Sequence, residues 1–149
     1  MGLKVGDKIP FFSLPDTFGN TFSIEDIIGK KNLVIFFYPK DNSPGCTAEA
    51  CSFRDHYEDF LEKGAAVIGI SADSAKSHAK FSKRNRLPFV LLSDENNKVR
   101  KLFKVKNNMF LLPGRETYVI DKEGKVAMVF NSVNASGHMK RALKALLKL

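Results

Sequence analysis

Cys46 and Cys51 are the two cysteines of this chain, and the first stands where a thiol can react. It closes the stretch Tyr38-Pro39-Lys40-Asp41-Asn42-Ser43-Pro44-Gly45-Cys46-Thr47, which leads from the end of an apolar strand to the start of a helix. Ligand and catalytic sites of α/β sheets favour that edge. In a first helical turn, free backbone N–H groups and the positive end of the helix dipole favour the thiolate, the nucleophilic form of cysteine.

Cys51 lies five residues further on. Five helical steps turn about 500° and rise about 7.5 Å, so on a cylinder of about 2.3 Å radius the two Cα atoms sit roughly 8.7 Å apart. A disulfide needs less than about 7 Å. The sulfurs therefore cannot join while the helix is intact, and if the two thiols act together its first turns must unwind. Spacing alone leaves other readings open: Cys51 as a small buried apolar residue, an inert Cys46, or zinc held by the pair with His56.

The elements that must position these residues follow from hydrophobic patterning. Leu33 to Tyr38, Ala66 to Ser71 and Phe89 to Ser93 are continuous apolar runs, expected for strands covered on both faces and forming the centre of a sheet. Phe11 to Leu14 and Thr21 to Ser23 flank a Gly19-Asn20 turn and predict a short hairpin capping the sheet edge. Phe53, Tyr57, Phe60 and Leu61 stripe one helix over Thr47 to Glu62, ended by Gly64. Ser74 to Arg86 predicts a second helix, stopped by Pro88, and Asn97 to Phe103 a short third. Glu116 to Asp121 and Lys125 to Phe130 alternate around Lys122-Glu123-Gly124 as an antiparallel hairpin. Met139, Leu143, Leu146 and Leu147 stripe a C-terminal helix. The order predicts an α/β fold with a mixed central sheet flanked by helices and an N-terminal β-hairpin.

With 149 residues, 44% hydrophobic and 27% charged, the chain suits a single domain over residues 1–149 and excludes a disordered tail. Two cysteines are too few for a secreted disulfide scaffold, and the longest apolar run, Leu33 to Tyr38, is far short of the roughly 20 residues of a membrane span. The N-terminus has no secretory core, so the chain reads as intracellular, although a mature protein freed of its transit peptide begins in the same way. Charge is segregated: residues 1–74 hold seven basic and eleven acidic side chains, residues 75–149 seventeen and five. Lys76, Lys80, Lys83, Arg84, Arg86, Lys98, Arg100, Lys101, Lys104 and Lys106 form a basic surface that could attract nucleic acid or another polyanion, although most such runs are solvated faces.

The cysteine loop resembles that of a peroxiredoxin, specifically the bacterioferritin comigratory protein and peroxiredoxin Q branch. The family pattern P-x3-T/S-x2-C is met by Pro39, Ser43 and Cys46, and Cys51 matches the resolving cysteine of the C-x4-C variant. The likeness extends through Gly6-Asp7-x-Ile9-Pro10, Pro44-Gly45-Cys46-Thr47, Phe53-Arg54-Asp55, Val67-Ile68-Gly69-Ile70-Ser71, Leu87-Pro88-Phe89, Leu92-Ser93-Asp94 and Pro113-Gly114-Arg115-x-Thr117-Tyr118-Val119-Ile120-Asp121.

The resemblance implies a thioredoxin-like fold and a thiol-dependent peroxidase acting on hydrogen peroxide and organic hydroperoxides. Cys46 would attack the peroxide, Ser43 would hydrogen-bond its thiolate, Arg115 would stabilise it, Pro39 would close the pocket, and a Cys46–Cys51 disulfide would be reduced by thioredoxin or a similar dithiol. No cofactor or metal is needed for that cycle. The family likeness also implies a monomer in the bacterial cytoplasm or a plastid, while the basic surface makes a nuclear location conceivable. Ser at position 43 departs from the commoner Thr, keeping the hydroxyl but losing a restraining methyl. Glu49 reads as ordinary compensation of the helix dipole. Two alternatives carry other functions: nucleic-acid binding through the basic half, which has no interleaved aromatics or helix-turn-helix signature, and disulfide reduction, which favours C-x-x-C.

Overall fold

In the computed structural model, residues 2–105, 115–132 and 134–149 are described. Lys106 and the Pro113-Gly114 pair lie outside them. Strand β3 (Asn32–Phe37) organises the rest: its residues Leu33 to Phe37 are fully buried because apolar side chains alternate onto two covered faces. It follows a separate antiparallel hairpin, β1 (Ser13–Pro15) with β2 (Thr21–Ser23), and a 3₁₀ turn over Ile24–Asp26.

Beside β3 on one side run β4 (Ala65–Ser71) and β5 (Val90–Ser93), all parallel; on the other run β6 (Glu116–Ile120) and β7 (Val126–Asn131), both pairings antiparallel. The order β5-β4-β3-β6-β7 is the expected mixed sheet, with one correction to its centre. The third apolar run, β5, is an edge strand, covered by the β1 hairpin, whereas β6 is interior and buried along its whole length. Its polar residues hid this: Glu116 and Thr117 are buried with partners, Asn131 Nδ2 donating to Glu116 and Thr117 Oγ1 meeting His138.

Among the described residues, five helices cover the sheet: α1 (Pro44–Asp55), α2 (Tyr57–Glu62), α3 (Ala75–Asn85), α4 (Lys98–Leu102) and α5 (His138–Leu146). One face packs Val34, Phe36 and Tyr38 against Phe53 of α1, Phe60 of α2, Phe81 of α3 and Met139, Ala142 and Leu146 of α5. The other packs Leu33, Ile35 and Phe37 against Val99, Phe103, Ile24 and Tyr118. The single helix expected over Thr47 to Glu62 starts earlier, at Pro44, and is broken at His56, whose backbone leaves helical geometry while its ring Nδ1 lies 3.2 Å from the Ser52 carbonyl oxygen. Leu61, after the break, and Leu147, just beyond α5, are both exposed, so neither belongs to the apolar stripe that predicted it.

At the middle of β4, Gly69 lies beside Phe36 in register, and a Cβ there would sit 2.7 Å from Leu91 Cδ2 and 2.8 Å from Phe36 Cζ. Phe36 cannot retreat, because its ring stacks on Phe53 with centroids 4.6 Å apart and meets Phe89 edge-on. Gly69→Ala is expected to destabilise the protein by about 1–3 kcal/mol through overpacking. Urea unfolding should show a lower midpoint at unchanged slope; an unchanged midpoint would mean that this layer has slack.

Candidate active site

The chain leaves β3 at the buried Tyr38 and is pinned before it enters α1. Tyr38 Oη donates to Asp41 Oδ1 (2.7 Å), Ser77 Oγ donates to Asp41 Oδ2 (2.8 Å), and His78 Nδ1 lies 2.7 Å from the same oxygen. The Asp41 N–H in turn donates to Asp73 Oδ2, which also accepts from Ser71 Oγ. Burial pushes the Asp41 carboxyl up, but hydrogen bonds from His78, Tyr38 and Ser77 outweigh it and hold the group below its ordinary value. Arg100, buried and set over the Phe37 ring, donates from Nη2 to the Tyr38 carbonyl (3.2 Å). Four side chains from other parts of the fold thus fix the loop that carries Pro39 and Ser43.

Asp41, Asp73 and His78 also form, among the described residues, the one group of three metal-ligating side chains. Their facing atoms are already engaged by the hydroxyls, ring nitrogen and amide just named, so the cluster reads as a hydrogen-bonded hub. The zinc arrangement considered for Cys46, Cys51 and His56 is not assembled: His56 is exposed and turned to Ser52, and Cys51 faces α3.

Helix α1 begins with Ser43 as N-cap and Pro44 in the first turn, a pairing that suits the orphan amides and the fixed proline φ. The Ser43 hydroxyl accepts from the Cys46 N–H (3.3 Å) and donates to the Lys40 carbonyl (3.2 Å). Its hydrogen is therefore turned to the loop backbone, whereas the family resemblance implies a bond to the Cys46 sulfur. Pro39 is half-buried beside this turn.

Cys46 is 1% exposed, and its sulfur lies 3.3 Å from Arg115 Nη2, so a side chain 69 residues away donates directly to it. Gly45 leaves the room: a Cβ there would stand 3.3 Å from the same nitrogen. Arg115, 6% exposed, also donates from Nη1 to Glu49 Oε1 at 2.7 Å. Burial alone would make this guanidinium easier to deprotonate, but Glu49 and Cys46 raise its pKa instead. Burial pushes the Glu49 carboxyl up to about 7 from 4.5, against the opposing pull of Arg115. The arrangement is a fixed cation between a thiol and a carboxyl in a region with little water, which is what stabilising a thiolate and a developing oxyanion requires.

Glu49 is the residue that the sequence reading missed. Cys46, Glu49, Ala50 and Phe53 are the buried residues of α1, spaced i, i+3, i+4 and i+7, and a carboxylate inside such a stripe was the available signal. Cys51 falls off that stripe and is half-buried, its Sγ 3.8 Å from Asn85 Oδ1, while Arg54 Nη1 donates to the Asn85 carbonyl (2.8 Å). Both thiols are free on an intact helix. Of the basic side chains singled out between 76 and 106, the described ones are exposed except Arg100.

The chain is similar to known proteins over nearly its whole length. Residues 5–129 match the AhpC/TSA family. The chain is 49% identical over 146 residues to the chloroplastic peroxiredoxin Q of Sedum lineare, covering 97% of this chain and 78% of that protein. The crystal structure of peroxidoxin BcpB from Mycobacterium tuberculosis superposes with a TM-score of 0.92 at 38% identity, over 99% of this chain and 98% of that one. The bacterioferritin comigratory protein of Xanthomonas campestris, solved in a study of its alkyl peroxide reduction activity, superposes with a TM-score of 0.87 at 32% identity, over 95% and 98% of the two chains.

A buried carboxyl whose pKa rises on folding opposes stability once the unfolded chain has lost its proton. Stability contributed by Glu49 therefore falls as pH rises from 4.5 to about 7 and is level above. Glu49→Gln removes this dependence. The stability of the variant minus that of the wild type, from urea unfolding at each pH, is expected to grow across that window by up to about 3 kcal/mol. A difference that stays constant with pH would show that Glu49 is ionised throughout.

Proposed function

The chain belongs to the AhpC/TSA family as a peroxiredoxin of the Q and bacterioferritin comigratory branch, a thiol-dependent peroxidase, and from that premise we propose that it works through a two-cysteine cycle begun at Cys46. The observation that carries the reading is the donation from Arg115 Nη2 to the Cys46 sulfur at a helix start. The Cys46 thiolate attacks one peroxide oxygen, the O–O bond breaks, and the departing oxygen takes a proton to leave as water or an alcohol. The sulfur, oxidised by two electrons, becomes a sulfenic acid. Arg115 meets the charge as it moves from sulfur to the leaving oxygen, Ser43 caps the turn that aims Cys46, and Pro39 shields the pocket from solvent.

The first turns of α1 then unwind, and the Cys51 thiolate attacks the sulfenic sulfur: the S–S bond forms as the S–O bond breaks, and the departing hydroxide takes a proton from solvent to leave as water. Unwinding must break the capping bond at Ser43 and the contact of Cys51 with Asn85. A dithiol, thioredoxin in this reading, reduces the disulfide and lets α1 refold. Substrates are hydrogen peroxide and alkyl hydroperoxides, the latter supported by the Xanthomonas relative. The chain acts as a single-domain monomer. The chloroplastic relative favours the plastid over the bacterial cytoplasm or nucleus, and among the described residues no helix is long and apolar enough to cross a membrane.

Cys46→Ser is expected to abolish peroxide turnover. Cys51→Ser should consume one equivalent of peroxide rapidly and then stop with a sulfenic acid that a dimedone probe traps. Equal loss of the first turnover in both variants would contradict this division of roles. Amide exchange over residues 46–53 should speed up on oxidation, and unchanged protection would rule out unwinding.

A further inference from the structure

His138, the first residue of α5, is fully buried against the carboxyl that holds Arg115. Its Nε2 lies 3.1 Å from the Ser132 carbonyl oxygen, which can only accept, so that nitrogen carries a hydrogen. Nδ1 faces the Thr117 hydroxyl at 2.8 Å and Glu49 Oε2 at 3.4 Å. Oε2 is buried and, among the described residues, has no hydrogen-bond partner, while Oε1 accepts from Arg115. With a neutral ring and an ionised carboxylate, two lone pairs would face each other in a region that water does not reach. One hydrogen on Oε2 removes the conflict, and a slight rotation of the carboxyl lets that hydrogen share the Nδ1 lone pair with the Thr117 hydroxyl.

We infer that His138 is a positioning residue for the peroxidase reaction: it accepts a hydrogen bond from a protonated Glu49, keeping that carboxyl neutral so that the charge of Arg115 is left for Cys46 and the peroxide. The inference rests on the reading of Cys46 as the reacting thiol. Burial drives His138 down to about 4, with Arg115 and Arg141 adding to the effect against the Ser132 bond, and drives Glu49 up to about 7. Both directions put the hydrogen on Glu49. The groups facing Glu49 are Cys46 on its own helix, Arg115 ahead of β6, and His138 on α5, with the Thr117 hydroxyl of β6 on the same imidazole nitrogen. When Glu49 ionises it takes a full share of the Arg115 charge, and less remains for the sulfur and the leaving oxygen.

The test is the pH profile of kcat/KM for hydrogen peroxide with the full chain. Between pH 6 and 8 the protonated fraction of a group titrating near 7 falls about tenfold, and the wild-type kcat/KM should fall with it. Glu49→Gln, whose carbonyl can accept from Arg115 while its amide donates to His138, should lack this alkaline limb. His138→Leu, which leaves the acid hydrogen without an acceptor, should move the limb down by about one pH unit, and His138→Asn, whose Oδ1 stands in for Nδ1, should restore it. Nitrogen NMR of the wild-type histidines gives a readout that needs no variant: the His138 ring should be neutral at pH 6 with the hydrogen on Nε2, and its Nδ1 signal should step near pH 7. A wild-type limb in Glu49→Gln, or a doubly protonated His138 ring at pH 6, would overturn the inference. Absence of peroxidase activity in the wild type would instead strike at Cys46, while the ring signals would still report the proton.

Discussion

Arg115 brings a positive charge into a region where almost no solvent reaches it, and the site depends on how that charge is shared. The Cys46 sulfur at 3.3 Å and the Glu49 carboxyl at 2.7 Å both draw on it. The contact is made by the sheet. Strand β6 pairs antiparallel with β3 so that Glu116 stands opposite Phe37, which puts Arg115, one residue earlier, level with the chain as it leaves β3 for the cysteine turn. The charge is therefore placed by strand register and held by buried partners, as preorganised stabilisation of a developing anion demands.

Helix α1 has two duties that pull against each other. It must be rigid enough to hold Cys46 over Arg115, which Ser43, Pro44 and the stacking of Phe53 on Phe36 provide. In the proposed cycle it must also give way at its first turns, because five helical residues separate the thiols by roughly 8.7 Å. The break at His56 fits the second duty, since α1 ends there and α2 is anchored separately through Phe60. The loop before α1 is tied down through Asp41, which in the proposed cycle gives the helix a fixed point from which to open and reform.

Local pattern made much of this legible. The apolar runs of β3 and β4, the N-terminal hairpin and the helix from Ser74 could all be read because each is specified by residues close together in the chain. What pattern could not supply was the partner of a buried polar group. Glu116 and Thr117 disguised an interior strand as an alternating one, since their partners lie on β7 and α5. Glu49 looked like a dipole-compensating acid because Arg115 and His138 are 66 and 89 positions away, and Arg115 entered only through the family resemblance. The helix interruption at His56 and the edge position of β5 are likewise set by tertiary packing.

The central claim, that Cys46 and Cys51 are the two ends of one redox cycle, is tested most directly by intact mass with thiol labelling. After one equivalent of hydrogen peroxide the wild-type chain should lose two hydrogens and accept no label, and thioredoxin with its reductant should return both thiols. A chain that keeps both thiols free to label, or gains an oxygen on Cys46 while Cys51 stays reduced, would contradict it.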